Sequence, residues 1–155
     1  MSSFGFHRLQ SIRLLFIGCL AFALPLRAQV VTSIPPFPTI DDSVIVLFNA
    51  KEGDGGLQGF TGRVFAHTGV ITTASVNLHD WKHVIGTWGD NSVQPELERV
   101  GEDLWRLNIG DIRSFYGVGP SETVLKLAFV FRSKDTQRTG RDIGGADIFL
   151  DLATG

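Results

Sequence analysis

Val124-Leu125-Lys126-Leu127-Ala128-Phe129-Val130-Phe131-Arg132 is the stretch on which the fold turns. Side chains of a strand alternate between its two faces, so Leu125, Leu127, Phe129 and Phe131 make one apolar row. Val124, Lys126, Ala128, Val130 and Arg132 make the row behind it. This is the pattern of a central strand. Leu104-Trp105-Arg106-Leu107-Asn108-Ile109 repeats the arithmetic, with Trp105, Leu107 and Ile109 on a core face and Leu104, Arg106 and Asn108 opposite.

Outward from these two segments, short apolar stretches alternate with turns. Ser43 to Asn49 is short and β-branched, and further strands are expected at 63–67, 75–78, 82–85, 96–100, 123–132 and 146–152. Lys51 to Gly62 holds five glycines without apolar periodicity and is expected to be a flexible surface loop. Asp111 to Tyr116 places Ile112, Phe115 and Tyr116 at helical spacing and ends at Gly117, which suits a single helical turn. About seven or eight strands in roughly 110 residues is the number found in an all-β, two-sheet antiparallel sandwich of immunoglobulin-like type. Val30 to Pro38 contains three prolines and is expected to be an extended lead-in, so 29–42 is assigned to it, 43–152 to the sandwich and 153–155 to a tail.

Residues 1–28 carry three arginines and no acid, with an apolar run of 13 residues from Leu14 to Leu26 and a small residue, Ala28. That run is shorter than the about 20 helical residues needed to cross a bilayer core of roughly 30 Å, and it matches a secretory signal cleaved near Ala28. The mature chain is then expected outside the cytoplasm, without a membrane span, and without Cys19, the only cysteine. Disulfides and thiolate chemistry go with it. Of the 155 residues, the 127 that remain carry 11 basic and 16 acidic side chains. An acidic balance of this kind disfavours nucleic acid and anionic membrane as main partners.

Catalytic signatures are missing. The sequence has no Gly-x-Ser-x-Gly elbow, phosphate-binding Gly-Lys-Ser/Thr loop or His-Glu-x-x-His pair. Gly53-Asp54-Gly55-Gly56 has no helix behind it to make a phosphate cradle, and Asp54 alone is a poor calcium ligand set. His79 and His83 would share a face only on a helix, and no third ligand is near. Asp80 and Asp90 are the carboxylate pair nearest the aromatic cluster that a glycosidase would need. The expectation is a non-catalytic protein without cofactor or metal.

The aromatic cluster is the informative constellation. Trp81 and Trp88 lie in Asp80-Trp81-Lys82-His83-Val84-Ile85-Gly86-Thr87-Trp88-Gly89-Asp90-Asn91, among polar side chains. A pyranose offers an apolar face of C–H groups and a rim of hydroxyls, so its binding site wants a flat exposed ring beside hydrogen-bonding groups. Tryptophan is also a common core residue. Seven residues apart on one unbroken strand, the two indoles would face opposite ways, so at most one would point inward. His67, at the end of a strand, reads from its neighbours as a hydrogen-bonded structural histidine. Tyr116, beside Gly117-Val118-Gly119-Pro120, is a further ligand-binding candidate.

The succession 57–72, then Asp80-Trp81-Lys82-His83-Val84, Trp88-Gly89, Phe115-Tyr116-Gly117-Val118 and Leu127-Ala128-Phe129-Val130-Phe131-Arg132 resembles a secreted immunoglobulin-like module of extracellular α-amylase-type and polysaccharide-utilisation proteins. The resemblance runs from Pro35 to Leu152. It is similar in architecture to starch-binding modules such as those of family 26, which stack glucose rings on exposed aromatics. It implies an accessory module that binds α-glucan through Trp81 and Trp88, with His67, Lys82 and Asn91 as polar contacts. It also implies a neighbouring catalytic domain or surface protein as a further partner. A structural spacer or protein-interaction domain without sugar affinity is the competing expectation.

Overall fold

The computed structural model describes residues 27–154. The signal segment assigned to 1–28 therefore lies outside the described residues, apart from Arg27 and Ala28. Among the described residues, eight strands form two antiparallel sheets. They are β1 (Val31–Ile34), β2 (Ser43–Asn49), β3 (Val64–Thr72), β4 (Glu98–Gly101), β5 (Leu104–Asp111), β6 (Val124–Ser133), β7 (Thr139–Gly140) and β8 (Ile148–Asp151). One sheet has the order β1-β2-β5-β4. In the other, β3 pairs with β6, and β7 and β8 pair in turn with different stretches of the far edge of β6. Lettered in chain order, with β7 and β8 as one interrupted last strand, this is ABED packed on CFG, the constant-type immunoglobulin arrangement.

Between the sheets lie Val44, Val46 and Phe48 of β2, Trp105, Leu107 and Ile109 of β5, and Leu127, Phe129 and Phe131 of β6, all buried. The apolar row expected on β6 thus faces the core, with one exception. Leu125 is 42% exposed, because the register of β3 against β6 slips there: Ile71 pairs with Lys126 and Thr72 with Val124, leaving Leu125 as the extra residue of a bulge. In the row behind, Ala128, Val130 and Arg132 are buried as well, and Lys126 is partly so. A strand covered on both faces reads as a nearly continuous apolar run, which is what its sequence shows.

The helical turn forms as expected. Helix α1 spans Ile112–Tyr116; the Asp111 carboxylate accepts a hydrogen bond from the Ser114 N–H at 2.7 Å, and Gly117 ends the helix in the left-handed conformation. Three expectations are corrected. Part of the Pro-rich lead-in is a strand, since β1 pairs along β2 from Val31 opposite Phe48 to Ile34 opposite Ile45. Residues 75–78 make turns rather than a strand, and 82–85 contribute one isolated bridge, Lys82 to Val70. The Gly-rich loop is tethered: Leu57 is fully buried, Asp54 accepts from the N–H groups of Gly56 and Arg141, and Arg138 donates to the carbonyls of Gly56 and Gln58.

Candidate functional site

The residues between β3 and β4 fold back over the outer face of the second sheet. They follow the free edge of β3 as a broken strand. Val70 exchanges both backbone hydrogen bonds with Lys82 (2.9 and 2.8 Å), Ile85 N–H donates to Thr68 O (3.0 Å), Ala66 N–H donates to Pro95 O (2.9 Å), and Leu97 N–H donates to Val64 O (2.8 Å). Close approach is possible because β3 carries Gly69, where an added Cβ would stand 2.9 Å from the Lys82 carbonyl oxygen.

Between Lys82 and Pro95 the path is interrupted at His83, Gly86 and Gly89, with φ of 50°, 64° and 86°. These left-handed positions break the alternation that would set Trp81 and Trp88 on opposite sides. Both indoles end on the same outer face and neither joins the core cluster. Trp88 is 44% exposed and Trp81 is half-buried.

Together they frame an open cleft of about 460 Å³. Its floor is His67 of β3 and Val130 of β6. The His67 ring stacks on Trp81 (centroids 5.5 Å apart, planes at 30°) and meets Trp88 edge-on (5.4 Å, 78°). The Trp81 indole is fixed by its N–H, which donates to Leu78 O at 3.0 Å. His79, Asp80, Arg141 and Asp147 supply its polar lining. A tight turn brings Arg141 and Asp147 together: Asp142 N–H donates to Ala146 O, and Arg141 Nη1 reaches Asp147 Oδ1 at 3.0 Å. Asp147 Oδ2 also lies 3.6 Å from His79 Nδ1.

Burial pushes the His67 imidazole below its ordinary pKa, and the nearby Arg132 charge adds to this, while Asp147 opposes it. The Asp80 carboxyl is held below the usual carboxylate range by the Val76 N–H and then by Lys82 Nζ, 2.9 Å away. Behind Trp88 lies Arg132, fully buried between the Phe65 ring at 5.0 Å and the Trp88 ring at 5.9 Å. Its Nε donates to Gln94 Oε1 and its Nη1 to Asn91 Oδ1, both at 2.8 Å; Nη2 has no acceptor among the described residues. A guanidinium buried without a carboxylate draws compensation from the two ring faces.

Of the expected site residues, Trp81, Trp88 and His67 come together. Lys82 stands outside the lining and serves Asp80. Asn91 sits behind the cleft, where it accepts from Arg132 and donates to Lys134 O. Tyr116 is corrected outright: it is 5% exposed, and its hydroxyl bonds Thr68 Oγ1 at 2.8 Å inside the sandwich. His79 lines the cleft, but His83 turns away to Glu122 at 2.8 Å, so the two imidazoles do not share a face. Among the described residues no group of three or more His, Cys, Asp or Glu could hold a metal ion. No helix there is long and apolar enough to cross a membrane. Asp90 caps its own turn through Ser92 and does not line the cleft with Asp80.

Sequence reasoning missed Gln94, Arg132, Arg141 and Asp147. The one signal was Arg132, a charge closing an otherwise buried row. Arg141 and Asp147 reach the cleft only through the pairing of β7 and β8 with β6. No protein-family model matches the chain, and no curated protein matches it significantly.

Proposed function

We propose that the chain is a non-catalytic, extracytoplasmic carbohydrate-binding or accessory module, exported after cleavage near Ala28, and that its ligand is an α-glucan. The observation that supports this most is the convergence of Trp81 and Trp88 on one solvent-facing side. Indole surface left in water forgoes the stabilisation that burial brings, about 25 cal/mol per Å². A sugar ring laid on it recovers part of that, while the Asp80, Arg141 and Asp147 side chains offer acceptors and donors to its hydroxyls. The resemblance to starch-binding modules supplies the choice of α-glucan.

Native gel electrophoresis in amylopectin or glycogen tests the proposal. Wild-type protein is expected to be retarded, and Trp81→Ala and Trp88→Ala to run freely, a loss of at least about tenfold in affinity for each ring at 1.4 kcal/mol per decade. Equal mobility with and without polysaccharide excludes the function. It would favour the competing reading, a spacer or interaction domain, which draws on a different surface. Phe37, 85% exposed at a φ of 57°, and Ile143, 52% exposed, line a groove between β1 and β8.

A further inference from the structure

Gln94 is buried under the cleft, and each polar atom of its side chain has a partner. Its Oε1 accepts from Arg132 Nε at 2.8 Å; its Nε2 lies 2.7 Å from His67 Nδ1 and 3.4 Å from the Ile85 carbonyl oxygen. A guanidinium has only donors, so the amide must turn its oxygen to Arg132. Its NH2 group then necessarily faces His67, and a proton on Nδ1 would set two donors against each other at 2.7 Å. The Nδ1 atom is therefore the bare, accepting nitrogen, and in a neutral ring the proton sits on Nε2. His67 Nε2 has no protein partner among the described residues and is not sealed from solvent.

We infer that Arg132, acting through Gln94, holds His67 as a neutral imidazole whose Nε2–H donates into the cleft, so that the ligand group seated against it is an uncharged oxygen of a saccharide. This deepens the carbohydrate reading and rests on it for the nature of the ligand. The charges around the ring agree. Arg132 faces it from β6, Arg141 and Asp147 from the turn before β8, and His79 and Asp80, the latter bonded to Lys82, from the β3–β4 connection. Asp147 alone favours an imidazolium, and Arg141 already pairs with it at 3.0 Å. Asp80 is likewise taken up by Lys82 and the Val76 N–H. With each lining carboxylate occupied by its own cation, the cleft holds no spare positive charge for a uronic acid. Gln94 and Arg132 are positioning residues here: neither lines the cleft.

The test combines imidazole ¹⁵N NMR on the free, uniformly labelled chain with gel retardation. Wild-type His67 is expected to show a bare Nδ1 and a protonated Nε2 from about pH 8 down through its ordinary midpoint of about 6.5. Amylopectin retardation should stay level over that range. Gln94→Glu keeps the acceptor for Arg132 but presents a carboxylate to Nδ1, so it should protonate that nitrogen and raise the His67 midpoint by about one unit or more. Retardation of that variant should become pH-dependent.

A proton on wild-type Nδ1, or a midpoint at the ordinary value, overturns the inference even if amylopectin binds. Stronger retardation by polygalacturonate than by amylopectin overturns its uncharged-ligand part. Loss of all polysaccharide binding with the tautomer as stated removes the proposed function while the Arg132–Gln94–His67 relay stands. The wild-type spectrum alone decides the tautomer, whether or not Gln94→Glu folds.

Discussion

Phe48 on β2 and Phe131 on β6 stack face to face across the two sheets, with ring centroids 4.2 Å apart and planes at 27°. These are the second and sixth strands, the pair that antibody domains join with a disulfide. The only cysteine of this chain, Cys19, precedes the sandwich, so an aromatic contact occupies the position of the covalent one. Phe131 also stacks on Phe129 at 5.5 Å. Phe131→Ala should cost about 3–5 kcal/mol and Phe131→Leu clearly less, read from urea unfolding. A cost below about 1 kcal/mol for the alanine variant would show that the stack does not hold the sheets together.

Thr68 Oγ1 donates to the Ala128 carbonyl at 2.7 Å, which leaves it to accept from the Tyr116 hydroxyl. Burial also keeps that phenol well above its ordinary pKa. Tyr116→Phe should therefore lower stability by about 1 kcal/mol and leave polysaccharide retardation untouched. Weakened retardation in a variant of unchanged melting temperature would return Tyr116 to the ligand site.

The Gly-rich loop gives a paired prediction. A Cβ on Gly56 would meet the Thr139 carbonyl oxygen at 1.9 Å, whereas one on Gly59 would meet nothing within 4 Å. Gly59 has a φ of 74°, so Gly59→Ala costs only conformational strain, about 1 kcal/mol. Gly56→Ala must push the loop off β7 and should cost more, with faster amide exchange across 51–62. Equal costs would mean that the loop is not fastened there.

Seven carboxylates, Asp42, Asp80, Asp90, Glu96, Asp111, Glu122 and Asp135, are held below their ordinary range. The largest causes are hydrogen bonds, such as those from the Thr39 N–H to Asp42 and from Arg63 to Glu96. A depressed carboxylate stabilises the folded state above the unfolded pKa, and this contribution is lost as pH falls through the folded value. His67 adds in the same sense: its lowered pKa lets the unfolded chain take up a proton first, so stability starts to fall below about pH 6.5. Melting temperature should drop gently from pH 7 to pH 5 and steeply below about pH 4. A rise on acidification would contradict these signs.

Much of the frame was legible because alternation survives in β2, β5 and β6, and because Asp111 and Gly117 bracket α1 with side-chain chemistry that reads locally. The bulge at Leu125 and the short strand β1 were not legible: one depends on the partner strand's register, and the other lies beside prolines that suggest a linker. At the site, composition pointed to Trp81 and Trp88, but the parity of their spacing would have separated them. What reunites them is the backbone at His83, Gly86 and Gly89, and a left-handed histidine has no sequence signature. Tyr116 misled because an aromatic beside glycines reads the same whether its ring enters the core or faces water.

The backbone of the covering segment bonds β3 at Val64, Ala66, Thr68 and Val70, whereas from 86 to 93 it makes no backbone hydrogen bond to that strand and is held by the side chains of Trp88 and Asn91. Those anchors also shield the strand from pairing with a foreign chain. Because no strand register runs through it, the excursion between them can change in length or composition as long as buried Arg132 keeps a ring face and an acceptor where Trp88 and Asn91 now stand. Grafting a different excursion between Ile85 and Gln94 is thus a route to new recognition on an unaltered scaffold, with tolerance for exchange concentrated where Trp88 is displayed.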